Sequence, residues 1–166
     1  MDRKVADARK LLEKVREKDP DYSKLYTLLV YVYGSLGEFD LASRAYEAGI
    51  NNQEGSPLLL NMAIVLQKMG KDHEVIDLLS KKELSVFAYH SVLGRSHYNL
   101  GNLIEAKKYF SKALDLDPDH EKTCSLLVDT LLQTKEYPAA INLMKKAVDQ
   151  KHSRSNEFIE LIDKMS

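Results

Sequence analysis

Apolar residues recur along the chain on a beat of about 34 residues. Small side chains stand at Ala42, Val75, Ala106 and Ala140, and four residues after each comes a large one: Tyr46, Leu79, Phe110 and Met144. Five residues before each small one lies a turn position, held by Gly37, Gly70, Gly101 and Lys135, at spacings of 33, 31 and 34. Each period holds two stretches of helical apolar spacing around that turn. Such a repeat predicts a stack of helix–turn–helix hairpins.

The units run over 23–55, 56–86, 87–120 and 121–154. The second is the poorest, with Lys82 where a small residue is expected and no closing proline. Its shortening by three residues near Ser80–Leu84 predicts a local irregularity. Both ends of the chain keep the register. Ala8, Leu12, Val15 and Pro20 match the second half of a preceding unit, so 2–20 reads as a half repeat whose helix spans 2–18. Phe158, Leu161, Ile162 and Met165 match the first helix of a following unit, so 155–166 reads as a single closing helix. The expectation is one all-α domain over 1–166 with about ten helices. The N-terminal half repeat favours excision from a longer array over a native cap.

Composition narrows the function classes. Twenty-four basic against 25 acidic residues leave a net charge of −1, which argues against a general nucleic-acid binder and a polybasic membrane anchor. A single cysteine excludes an internal disulfide framework and a Cys–Cys zinc site. Seven glycines and four prolines are too few for a fold of many tight strand turns. No stretch of 18 residues is continuously apolar, and the N-terminus lacks the apolar centre of a signal peptide. The expected location is the cytoplasm, or a soluble piece of a larger protein.

Unit 87–120 carries Leu93, Gly94, Tyr98, Gly101, Ala106, Phe110, Ala113 and Pro118 at the spacing of a tetratricopeptide repeat, which it resembles. His90 and His97 depart from that pattern, standing where a bulky residue and a tyrosine are usual. The choices have physical reasons. Gly94 and Ala106 are small where paired helices cross closely. Gly101 accepts the left-handed cap of the first helix, and Pro118 stops the second. The resemblance implies a right-handed α-solenoid of antiparallel helix hairpins.

It also implies a concave groove lined by the first helix of each unit. At the groove positions, Tyr31, Leu60 and Ile64 form an apolar patch, and Arg95, Tyr98, Asn99 and Lys122 a polar, mildly basic one. Apolar anchors beside hydrogen-bonding groups suit a peptide or helix of a partner protein. The competing account of Leu60 and Ile64 is packing against a neighbouring helix. A branch of the family clamps a C-terminal carboxylate with Lys, Arg and Asn. The matching positions here are Thr27, Tyr31, Asn61, Ala88 and Val92, of which only Asn61 agrees, so that reading fails.

Catalytic motifs are missing from the sequence. There is no phosphate-binding glycine loop, nucleophile elbow or paired-histidine zinc helix. Asp115, Asp117 and Asp119 start like a calcium loop, but His120 and Leu126 stand where glycine and glutamate are required. Asp119 is instead expected to cap the next helix. His90, His97 and Cys124 fall on interior positions and are expected to pack. The reading is a non-catalytic interaction scaffold with no metal, cofactor, nucleic-acid partner or membrane insertion. The alternative is an assembly subunit that self-associates through its terminal helices, with a secretion-type chaperone as a narrower variant.

Overall fold

A computed structural model describes residues 3–22, 24–51, 55–81 and 84–165. Among them are ten helices and no strand. Ser23, the start of the first unit, and Lys82 lie outside the described residues, as does Asp2 of the N-terminal half repeat. The chain divides into two compact units, Met1–Leu84 and Ser85–Ser166.

The first unit holds α1 (Arg3–Lys18), α2 (Leu25–Leu36), α3 (Phe39–Asn51), α4 (Ser56–Lys68) and α5 (Asp72–Ser80). The helices α2 and α3 form one antiparallel hairpin, α4 and α5 the next, and α2 also packs on α4. Leu25, Leu29, Val30 and Tyr33 of α2 are buried with Ala42 of α3, Leu58, Ala63 and Val65 of α4, and Val75 and Leu79 of α5. At nine residues α5 is shorter than α3 at 13, which absorbs part of the missing length in this repeat. The helix α1 packs on α2 alone and buries no residue fully. Val5, Ala8, Leu12 and Val15 are half-buried, and polar ties add to them. Tyr33 donates its hydroxyl to Glu13 at 3.1 Å, and Arg9 bridges Glu13 at 3.3 Å and Glu38 at 3.1 Å.

The second unit holds α6 (Phe87–Asn99), α7 (Leu103–Leu116), α8 (Glu121–Gln133), α9 (Tyr137–Asp149) and α10 (Ser155–Met165). The hairpins are α6/α7 and α8/α9, and α10 closes against α9. Gly94 shows why its slot stays small. A β-carbon there would lie 2.6 Å from Cδ1 of Phe110, so an added methyl would drive the crossing helices apart. Ala106, Phe110, Cys124, Val128, Met144 and Phe158 form the centre of this core. Burial pushes the Cys124 thiol up, which keeps it protonated and unreactive. His90 is buried and His97 half-buried, and Tyr109 of α7 stacks on both rings, as their interior positions required. Burial lowers the His97 pKa.

The helix ends follow one rule. After α4, α6, α8 and α9, one amide reaches back five residues and its predecessor reaches back three. Examples are Asn102 to the His97 carbonyl at 2.9 Å and Glu136 to the Leu131 carbonyl at 2.9 Å. This closure needs a left-handed residue. Gly70 and Gly101 supply it at φ 72° and 76°, whereas Lys135 and Lys151 are forced to 60° and 56°. A side chain in that region costs about 1 kcal/mol. Lys135→Gly is therefore expected to stabilise the second unit by about 1 kcal/mol. The check is a higher urea midpoint with an unchanged slope.

One cap departs from expectation. Asp119 does not cap α8; His120 does, its Nδ1 accepting the Thr123 amide at 3.2 Å. The imidazole also packs, tilted by 48° with ring centroids 4.4 Å apart, against Phe87, which holds it over the helix start. Asp119 accepts instead from the side chain of Gln150.

Candidate functional site

In the first unit, α2 and α4 lie side by side and leave a shallow crevice. Tyr31, Gly34, Ser35, Asn61, Ile64, Val65 and Lys68 line it. Gly34 sets its depth, because Val65 Cγ2 would lie 2.4 Å from a β-carbon on that residue. Tyr31 is 58% exposed and Ile64 37%, large apolar surfaces left uncovered on either side. Leu60 is half-buried and is not among the residues lining the crevice. Of the three apolar residues picked out by sequence, the structure brings together Tyr31 and Ile64.

The polar groups of the crevice are held in place. Asn61 donates its side-chain amide to the Thr27 carbonyl at 2.9 Å, and Lys68 its ammonium to the Gly34 carbonyl at 3.0 Å. Both bonds span 34 residues, one more than the 33-residue step between these two repeats. Gly34 lies in the last turn of α2, where carbonyls lack helical partners and the helix dipole attracts a cation. Ser35 donates back to the Tyr31 carbonyl at 2.8 Å, which spares its hydroxyl a solvent partner. Lys68 was not among the site residues picked out by sequence; its tie to the Gly34 carbonyl depends on how α4 lies against the end of α2. Lys24, just before α2, and Lys68 are the charges at the groove positions of this pair, with no carboxylate.

The second unit carries the polar residues. Arg95 and Tyr98 are half-buried on α6, and Asn99 is exposed at its end. Gln133 of α8 donates to the Tyr98 hydroxyl at 2.9 Å, and the Tyr98 ring tilts against Phe110 at 6.4 Å. Tyr98 thus serves the packing as well as the surface. Lys122 is exposed in the first turn of α8. It stands seven repeat positions from Arg95, about 10 Å along the helix at 1.5 Å per residue, so it does not join the Tyr98 cluster. Asp129, the one acidic groove position on α8, is taken by Arg154 at 3.3 Å. The net charge left on these positions is positive. Among the described residues no group of three His, Cys, Asp or Glu side chains converges to hold a metal ion. No helix among them is long and apolar enough to cross a membrane.

Comparison with known proteins agrees with this architecture. Residues 23–54 and 87–120 each match a family profile described as tetratricopeptide repeat. No curated protein sequence matches the chain. Among solved structures it is similar to YrrB, a TPR protein with an unusual peptide-binding site, at 18% identity and a TM-score of 0.71, covering 97% of this chain and 84% of that one. It is similar also to PilF of Pseudomonas aeruginosa, at 18% identity and a TM-score of 0.78, covering 97% and 81%. A MamA variant aligns at 15% identity and a TM-score of 0.77, covering 92% and 88%. At these identities the likeness establishes the fold. Repeats of this kind act generally as non-catalytic scaffolds for protein–protein interaction. Two matched repeats, four hairpins on one register and neighbours of the same fold make the chain a tetratricopeptide-repeat protein.

Proposed function

We propose that the chain binds a short segment of a partner protein on the inner faces of its first helices, with the α2/α4 crevice as the anchor site. The observation that carries this reading is the pair of uncovered apolar side chains, Tyr31 and Ile64, around a crevice whose polar groups are already fixed. Fixed groups lose little freedom on binding, so more of the contact energy appears as affinity. The chemistry of the lining defines the partner. An apolar side chain enters between Tyr31 and Ile64. The Lys68 ammonium spends one proton on Gly34 and offers the others to a carboxylate beside that anchor. Arg95, Tyr98 and Asn99 offer a second basic and hydrogen-bonding face on the other unit, suited to the same acidic chemistry, with Lys122 apart from them at the start of α8. YrrB, described as having a peptide-binding site on the same fold, supports the general mode. A contact of this size corresponds to micromolar affinity, about −8 kcal/mol.

Selection from a displayed random-peptide library tests the chemistry. The enriched peptides are expected to share an apolar residue next to Asp or Glu and to bind more weakly as salt rises. Enrichment of basic peptides, or of none, would contradict the assignment.

A further inference from the structure

We infer that the chain associates head to tail with a second copy of itself, the α1 of one copy supplying to the α10 of the next the second helix of a complete repeat. The two terminal helices are complementary halves in one register. In the complete hairpins the slot of Leu11 is held by Ala45, Leu78, Tyr109 and Leu143, none of them exposed. Tyr109 shows where that slot points: its ring stacks on His90 and His97 of the first helix in the same hairpin. Leu11, with no first helix against it among the described residues, is 64% exposed.

The other end shows the converse. Leu127, Val128 and Leu131 on α8 are buried under their second helix, α9. Their counterparts Leu161, Ile162 and Met165 on α10 are half-buried. An open crevice between α9 and α10 exposes Val148, Ile159 and Ile162 within a rim of Lys145, Asp149 and Asp163. In the joined pair, Leu12 and Ile162 would take the places that Met144 and Val128 hold in the last complete hairpin.

Charge selects this pairing over like with like. The helix α1 carries seven basic and three acidic residues, and α10 three acidic and one basic. Joining α1 to α10 brings opposite charge together, whereas α1 to α1 or α10 to α10 repels. The contact is heterologous and does not close at two copies, so assembly proceeds beyond a dimer. It uses neither Tyr31 nor Ile64 and stands independently of the peptide reading.

Analytical ultracentrifugation of the whole chain decides the matter. The wild type is expected to gain mass with concentration, past the dimer, and to lose it at high salt. Leu11→Asp alone and Ile159→Asp/Ile162→Asp alone are each expected to be monomers. An equimolar mixture of the two has one intact junction and is expected to stop at a dimer. Should the α10 double variant lose helicity, Glu160→Lys/Asp163→Lys replaces it, both side chains being exposed, with an expected weakening of at least several-fold. A wild type that stays monomeric across the micromolar to sub-millimolar range would overturn the inference. So would either variant alone still forming dimers, since that pattern belongs to a like-with-like contact.

Discussion

Leu93→Ala is expected to lower the stability of the second unit by about 2–5 kcal/mol, the range for truncating a fully buried leucine in a core that cannot collapse around the cavity. Leu93 is 2% exposed in α6, next to Gly94, where the helix already touches the Phe110 ring. Two crossing helices held that closely have no slack with which to fill a lost isobutyl group. The magnitude is a large share of the stability of an ordinary domain. The loss should be confined to one unit, so amide hydrogen exchange under urea is the informative probe. Amides of α6–α9 are expected to lose protection while those of α2–α4 keep theirs. Leu116→Ala, at a half-exposed leucine, serves as the control and is expected to change stability by no more than about 0.5 kcal/mol.

Tyr31→Ala/Ile64→Asp is expected to weaken binding of a selected peptide by at least about 2 kcal/mol, roughly thirtyfold. Two effects combine. The alanine removes an aromatic anchor, and the aspartate puts a charge where the partner's apolar group would enter and beside where its carboxylate would sit. The second effect is repulsive, so it also acts against the acidic neighbour that Lys68 attracts. Both side chains are exposed enough that the fold should persist; an aspartate within a helix costs about 0.7 kcal/mol relative to alanine. Isothermal titration of the variant beside wild type measures the loss. Circular dichroism confirms that helicity is unchanged.

The hairpin architecture was legible because each hairpin repeats one packing problem. Ala106 beneath Phe110, Gly101 at a left-handed cap and Pro118 past a helix end are solutions dictated by local geometry, and they recur on the same beat. The ends follow the same beat in the sequence: Ala8, Leu12 and Val15 of α1, and Phe158, Leu161 and Ile162 of α10, stand at the intervals of the repeat. What sequence could not resolve was direction within a face. Leu60 and Ile64 are both groove positions by count, yet Ile64 lines the crevice and Leu60 does not, because the rotation of α4 depends on how closely Gly34 lets Val65 approach. The capping of α8 by His120 rather than Asp119 was hidden for a related reason. An aspartate is the stronger cap by preference, but the imidazole is held over the helix start by Phe87, a neighbour from the preceding hairpin. The role of Lys68 was hidden too, because it depends on the carbonyl that the end of α2 presents to it.

Partner recognition on the inner face around Tyr31 and Ile64 is tested by comparing proteins captured from native lysate by three baits: wild type, Tyr31→Ala/Ile64→Asp, and Ile104→Asp, which changes a 76% exposed residue on the second helix α7. A protein held by wild type and by the α7 variant and lost from the inner-face variant is expected. A partner held equally by all three, or lost only from the α7 variant, would contradict it and place recognition on the second helices.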